Sequence, residues 1–371
     1  MGDVALLING QKYLGWEDLQ ISRSLEALSG TFSLSYIDAW DFQSAGRDSE
    51  PAGYSKWYIK PGDQCEITID DELVLTGFID EVQTSFDEDE RRFQVSGRDK
   101  TGDLVDCSAA QGYFKSYKDL NIAQLAVILC KPFGIKVINQ TDVGKIFRQI
   151  AIEHSQSVHD VLEQCARQRA VLMTTDKAGN LVFTNPGSKN ASTSLEEGDN
   201  ILSGSFTYDF KKRHSRYYVY GQSVGEGQFW GAEQARKSKS SATDPNITRY
   251  RPKVLIAERD ATRIETKKRA DWEASFNAAR GSTLTCRTLG WRQGELAGDP
   301  LWETNMLVRV KAPSLGVEGE MLIESVTFRI SDQGEVTDLQ LTKPDAYTPN
   351  PVVKNELSQF LLTGPTPKLD K

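Results

Sequence analysis

Three histidines, His154, His159 and His214, and five cysteines, Cys65, Cys107, Cys130, Cys165 and Cys286, are the side chains of this sequence best suited to hold a metal or act as nucleophiles. Their spacing argues against both. His154 and His159 stand five apart and share no helical face, and the zinc-protease pattern is absent although Glu153 and Asp160 lie beside them. No Cys-x-x-Cys pair occurs. The odd number, wide spacing and apolar surroundings of the cysteines read as buried, reduced thiols of a cytosolic protein. The run from Gly225 to Gly231 is glycine-rich, but its third glycine is misplaced for a dinucleotide loop, and neither a nucleophile elbow nor a Walker loop is present. Carboxylates are abundant, and a glycosidase-like pair is defined by a spatial separation that sequence does not give. Asp80 and Glu81 are candidates that successive strand positions point to opposite faces. Trp57, Trp230, Trp291 and Trp302 could build a sugar platform or pack in a core or interface. No catalytic, cofactor-binding or metal-ligating set is assigned.

The elements that would position such residues follow from pattern and composition. The 371 residues suffice for two to three domains, each with its own core. Hydrophobic content of 39% and charged content of 26% describe an ordinary soluble chain. A net charge of −8 makes the chain a poor candidate for gripping nucleic acid, which needs clustered Lys and Arg. The basic runs Lys211–Arg213 and Lys267–Arg269 are short and read as solvated faces. No segment approaches the roughly 20 apolar residues of a membrane span, and the start lacks a basic signal-peptide region.

Period-two alternation places strands through residues 3–108, with a turn at Pro61-Gly62-Asp63 and a charged hairpin tip at Asp87–Glu90. Residues 109–198 read as a small α+β domain. Helical periodicity covers Asn121–Cys130 and Ser157–Ala166, with Ser157 and Asp160 as the second helix's cap, and a hairpin covers 170–184. Residues 199–222 and 282–345 are expected to form a further β unit. Between them, 223–281 read as a polar, mobile loop running to 247 and a helix from Ala261 to Arg280. That helix should turn Ile264, Trp272, Phe276 and Ala279 inward. Residues 346–371 form a tail with an apolar cluster at Leu357, Phe360, Leu361 and Leu362. The fold class is α+β, mainly β.

The stretch from Trp57 to Ser108 repeats in Leu301 to Asp345. Each holds three strand-like runs in one order: Cys65–Ile69, Phe78–Phe86 and Phe93–Ser96 in the first, Met306–Val310, Leu322–Ile330 and Leu339–Thr342 in the second. Alternate apolar residues give each run one core face and one solvent face. Two similar antiparallel, barrel-like units are expected, with Ile67 over Val308, Val82 over Val326 and Val95 over Leu341. A chain that presents one unit twice can form a six-part ring from three copies, which favours an architectural role over a catalytic one.

The run from Lys60 to Asp63, then Leu75 to Val82, then Val95 to Ser108 with its Gly97-Arg98-Asp99…Asp103-Leu104-Val105-Asp106 core, resembles the baseplate hub proteins of contractile phage tails. These include the late-control D family and the Mu-type hubs (tail protein P). Ala278–Gly290 and Leu322–Val326 resemble the family's second half. The resemblance implies a homotrimer on the tail axis between the tail tube protein and the central spike protein. Its pseudo-sixfold ring would adapt symmetry and leave an axial channel that DNA passes through without specific binding. It implies a virion component assembled in the host cytoplasm, no cofactor, no enzyme activity and no membrane insertion by this chain. The related T4 hub and the N-terminal part of type VI secretion spikes share the plan. The long β-helix of those spikes is missing here, so the spike is expected to be a separate protein, and no length remains for a fused lysozyme domain. Gly62, Gly77, Gly97, Arg98 and Asp99 are expected to be structural, with Arg98 and Asp99 as a charged pair tying the barrel end to the α+β domain. The tail cluster is expected to make assembly contacts. Glu66, Asp80 and Glu324 are the candidates for lining the channel. Two rival classes stand beside this one: a tail-borne cell-wall hydrolase, and a carbohydrate-binding module.

Overall fold

The computed structural model describes residues 3–39, 59–87, 90–109, 115–169, 171–221, 239–256, 263–331 apart from 295 and 297, and 334–347. The first β unit contains β1 (Val4–Ile8), β2 (Gln11–Tyr13), β3 (Asp18–Ser24), β4 (Thr31–Ala39), β5 (Gln64–Ile69), β6 (Glu72–Phe86) and β7 (Glu90–Asp99). The α+β domain follows as α1 (Gly102–Asp106), β8 (Lys115–Leu120), α2 (Ile122–Cys130), β9 (Val137–Asn139), β10 (Phe147–Ile152), α3 (Val158–Arg169), β11 (Leu172–Thr175) and β12 (Leu181–Thr184). Short strands β13 (Lys189–Asn190) and β14 (Leu195–Glu196) lead to β15 (Ile201–Tyr208). An inserted lobe holds β16 (Arg216–Tyr220), β17 (Lys239–Thr243), β18 (Pro252–Ile256) and α4 (Arg263–Arg280). The second unit is completed by β19 (Ser282–Leu289), β20 (Met306–Ala312), β21 (Val317–Ser331) and β22 (Gly334–Thr342).

Local chemistry explains the turns. Asn9-Gly10 and Asp70-Asp71 sit at positive φ between paired strands, the two-residue geometry that matches strand twist. Pro61-Gly62 makes the expected turn, closed by Asp63 N–H donating to the Lys60 carbonyl at 3.1 Å, with Gly62 at φ +92°. In α3 the Ser157 hydroxyl accepts from Asp160 N and the Asp160 carboxylate accepts from Ser157 N, the reciprocal cap expected from the sequence. A second such box, Asn121 with Gln124, opens α2.

The two β units are joined to one another. Their strands run in one sheet, ordered β15-β19-β22-β21-β3-β4-β7-β6-β5-β1-β2, with β20 paired to β21. The junction is β21 against β3, from Ser325 opposite Ser24 to Ile330 opposite Leu19. One hydrophobic core spans both units, from Leu6, Ile67 and Val95 to Val310, Val326 and Leu341. A second core fills the α+β domain and takes in Leu28 of the first unit and Leu104 of α1.

Several expected boundaries move. Arg216–Tyr220, assigned from sequence to the second β unit, pairs with β17 and β18 in a separate three-stranded sheet. Within the stretch expected to be a mobile loop, Lys239–Thr243 is a paired strand. Strands β13 and β14, expected in the α+β domain, pair with β20 of the second unit. Helix α4 buries Thr266, Ala270, Glu273, Asn277 and Ala279, while Ile264 is exposed and Trp272 and Phe276 are half-buried and stacked at 4.6 Å. The lobe's apolar core is small, built on Val219, Ala242 and Ala270. Buried polar groups with partners fill the remainder: Arg213 clamps Asp244 through two hydrogen bonds of 2.8 and 2.9 Å.

Candidate functional site

The repeat expected from the sequence extends further than three strands. Pairing order β3-β4-β7-β6-β5 in the first unit matches β15-β19-β22-β21-β20 in the second. Both long central strands carry a bulge against their hairpin partner, at Asp80 between Ile79 and Glu81 facing β7 and at Glu324 between Ile323 and Ser325 facing β22; β6 has a further irregularity at Val74 facing β5. A bulge inserts one unpaired residue and sharpens the local twist, so it is a register mark. Aligned on it, Val82 opposite Val95 is equivalent to Val326 opposite Leu339. The expected match of Val82 with Val326 therefore holds. Val95 falls on Leu339 rather than Leu341, and Ile67, opposite Leu75, falls on Val310, opposite Gly319, rather than Val308.

The same alignment shows where the units differ. The half-strand Ser325–Ile330 is flanked by β22 on one side and β3 on the other. Its equivalent, Glu81–Ser85, has ladder pairing to β7 alone among the described strands. Likewise β3 lies between β4 and β21, whereas its equivalent β15 pairs along its length with β19 and otherwise makes one isolated bridge, Ile201 to Glu197, among the described residues. The distal half of β6 in the first unit and β15 at one end of the sheet are thus the positions whose counterparts are covered at the centre.

The end of β7 ties the β units to the α+β domain. A side chain at Gly77 would place its Cβ 1.9 Å from the Arg98 carbonyl oxygen, and one at Gly97 would meet the Phe78 oxygen at 2.1 Å, so both strands pass too closely for any other residue. Arg98 and Asp99, expected to pair with one another, point to different partners. Arg98 binds Asp80 of β6 at 2.8 Å and Asp106 of α1 at 2.7 Å, and these carboxylates hold its pKa up. Asp99 is buried and accepts from Gly30 N at 2.8 Å, Thr101 N at 2.9 Å, the Thr101 hydroxyl at 2.5 Å, and the Ser29 and Thr175 hydroxyls. Thr175 also receives Arg23 Nη2, at 2.6 Å on its carbonyl and 2.8 Å on its hydroxyl. Burial lowers the Arg23 pKa and nearby Asp99 opposes that. Successive strand residues face opposite ways, which is why neighbours Arg98 and Asp99 serve two joints rather than one pair.

Where β3, β21 and the β11–β12 hairpin meet lies a cavity of about 380 Å³, lined by Arg23, Thr175, Lys177, Trp302 and Glu303 among others. Ion pairs knit its rim. Lys177 bridges Glu72 and Glu303 at 2.7 and 2.9 Å, and Arg292 bridges Asp70 and Glu72 at 3.0 and 3.2 Å. These links join the two β units to the hairpin tip of the α+β domain, a network the sequence reading missed because its members are scattered from Asp70 to Glu303.

Of the carboxylates expected on solvent faces, Glu66 and Asp80 are exposed. Glu324 is not: at 7% exposure it is packed at its bulge, accepting from the Tyr347 hydroxyl at 3.0 Å and from Gln340 at 3.4 Å. Burial pushes its carboxyl above the usual range. Leu357, Phe360, Leu361 and Leu362 lie outside the described residues.

Groups suited to catalysis are dispersed. Among the described residues no cluster of three or more His, Cys, Asp and Glu side chains could hold a metal. Cys65, Cys130 and Cys286 are buried free thiols pushed up to about 12 by desolvation, far from a reactive thiolate. His214 is lowered by burial and by nearby Lys253 and Arg251.

Known proteins agree with this architecture. Three family models match: "Mu phage baseplate assembly protein GpP-like, N-terminal" over residues 3–99, "Baseplate hub protein gp44-like, second domain" over 101–185, and "Mu phage baseplate assembly protein GpP, fourth domain" over 262–350. The baseplate hub protein gp44 of Escherichia phage Mu is 32% identical over 340 residues, covering 89% of this chain and 84% of its own. The 43 kDa tail protein of prophage MuSo2 from Shewanella oneidensis superimposes with a TM-score of 0.79 at 35% identity, over 93% of this chain and 99% of that one. A tail protein from Neisseria meningitidis shares the fold, with a TM-score of 0.74 at 22% identity over 94% and 98% of the two chains. With two tandem β units flanking an α+β domain, and with these matches along most of its length, the chain belongs to the Mu-type baseplate hub family of phage tail proteins.

Proposed function

We propose that this tail baseplate component of the virion acts as a homotrimer. Its six β units would form a pseudo-sixfold ring on the tail axis, joining the tail tube protein to a separate central spike protein. The observation that carries this reading is the tandem repeat: ten strands in two sets of identical pairing order, already joined edge to edge by β21 and β3. A chain that repeats its unit halves the rotational order needed, so three copies suffice for a six-part ring. The role is architectural. Glu66 and Asp80, exposed on the strands of the first unit, remain candidates for the bore, which DNA would cross without being held. A net charge of −8 per chain suits a surface that does not grip phosphate.

Native mass spectrometry of the full chain tests the assembly. Three times the 41.4 kDa chain mass is expected, and a single-chain mass at all concentrations refutes it. A peptidoglycan zymogram tests the rival hydrolase; a clearing band that carboxylate substitutions abolish would replace the structural reading.

A further inference from the structure

We infer that the cavity where β3, β21 and the β11–β12 hairpin meet is a binding site for a small apolar molecule that carries one carboxylate. Such a site goes beyond the architectural role and does not depend on the ring. The cavity volume, about 380 Å³, lies within the range of small-molecule pockets. Two of its walls hold buried donors without partners. Along β12, Leu181 and Phe183 enter the core of the α+β domain, while Val182 and Thr184 turn to the other face and line the cavity. Thr184 is 2% exposed, and its hydroxyl has no hydrogen-bond partner among the described residues. Trp302 lines another wall, is equally buried, and its indole Nε1–H has no partner either. Buried polar atoms are nearly always paired, and a buried Trp N–H usually finds an acceptor. Two such donors on the walls of one cavity suit an acceptor brought by a ligand.

The charge of the lining names the ligand's class. Arg23 stands opposite Val326 in the β3–β21 ladder, on the face that carries Ile21 into the core. Its side-chain bonds among the described residues both leave from Nη2 and end on Thr175, so Nε and Nη1 can serve a ligand. The Asp99 carboxylate is linked to it through the Thr175 hydroxyl rather than by a direct ion pair. The other charges of the lining are engaged. Lys177 and Lys189 both bind Glu303, and the Asp176 carboxylate accepts from Ala178 N, Asn180 N and Asn180 Nδ2. Three cations, Arg23, Lys177 and Lys189, face two carboxylates, Asp176 and Glu303, and the unmatched charge falls on Arg23. A guanidinium fork matches the two oxygens of a carboxylate, and bonds to an ionised acceptor are the stronger kind. A dianion would find only one unmatched positive charge, and a neutral alcohol would leave it unanswered. Val74, Val182, Leu301 and Phe328 supply the apolar wall for the ligand's body.

Titration calorimetry of the full chain with sodium benzoate tests the site. Benzoate should bind, and benzamide, of the same shape but uncharged, should bind about tenfold more weakly or worse. Thr184→Val keeps the side chain's shape and removes its hydroxyl. It should weaken benzoate binding about tenfold while leaving the ligand-free melting temperature unchanged or raised, because it deletes a buried hydroxyl that has no partner. A purely structural Thr184 would not separate those two readouts. Trp302→Phe should weaken binding likewise. N-acetylphenylalanine presents the same groups on a peptide end. Tighter binding than benzoate assigns the carboxylate to a chain terminus, and weaker binding assigns it to a free acid. Absence of binding heat and of any shift in melting temperature with both acids overturns the site. Equal affinity for benzoate and benzamide, or undiminished benzoate binding in both variants, overturns the carboxylate assignment.

Discussion

Asp99 and Arg98 are adjacent, both charged and both at the joint of β7 with the α+β domain, yet they carry different weights. Asp99 is 3% exposed and satisfies two backbone N–H groups and three hydroxyls. Its removal leaves those donors buried without an acceptor. We expect Asp99→Ala to cost about 3 kcal/mol or more, measured by chemical denaturation. Arg98 is about one-third exposed, and its partners Asp80 and Asp106 are more so. Solvent screens such pairs, so Arg98→Ala should cost about 1 kcal/mol or less in the same measurement. Equal losses for the two variants would mean that the burial contrast does not govern this joint. Glu324 adds a pH signature. Burial is the largest cause of its raised pKa, opposed by the Tyr347 hydroxyl and reinforced by Glu26. A carboxyl whose pKa is raised on folding stabilises the fold below its unfolded value, about 4.3, and that contribution is lost as pH rises through the folded value. Gln keeps an acceptor for Tyr347 but has no charge to bury. The stability of Glu324→Gln relative to wild type should therefore rise between pH 4 and 7. A difference that falls with pH over that window contradicts the assignment.

At the scale of elements, the inserted lobe is the separable part. Strands β15 and β19 are paired up to Tyr208 opposite Ser282, and Asp209 N–H donates to the Gly281 carbonyl at 2.8 Å. The entire lobe leaves and re-enters the sheet across that one pair. Replacing residues 210–280 by an Asn-Gly turn should leave a folded β protein, because two such residues match the twist of a hairpin. Circular dichroism should show retained strand signal with a cooperative melt; loss of the melt would show that the lobe supports the sheet. Helices α2 and α3 were legible in the sequence because their apolar stripes and capping residues agree. The inward face of α4 was not. Its lobe has too few apolar residues to demand a stripe, so Glu273 and Asn277 are buried through hydrogen bonds, and Arg269 secures Glu273 at 2.7 Å. Hydrophobic periodicity reads apolar demand and is blind to a polar face whose partners satisfy it.

For the whole molecule, the contacts beyond the sheet are the open matter of assembly. Tyr347 bonds Glu324, so a truncation that spares this contact falls after it. A chain truncated after Tyr347 loses Leu357, Phe360, Leu361 and Leu362 but no described contact of the sheet. It should melt like wild type and form the proposed trimer poorly. Wild-type assembly by native mass measurement would remove the tail from the interface. The sequence by itself determined that the chain is mainly β, that its strands come in two like sets, and that Gly77 and Gly97 mark special positions in the first. Period-two alternation and local turn chemistry are properties of short stretches, and they survive without tertiary context. It could not decide that the two sets share one sheet, or the register of their repeat. A slip of two residues leaves every side chain on its original face, so Val95 against Leu339 and Val95 against Leu341 satisfy the same hydrophobic pattern. Only the folded ladder, with its bulges at Asp80 and Glu324, distinguishes them. The pairing of β3 with β21 brings together residues about 300 positions apart. It was decided by long-range packing, which no local pattern encodes.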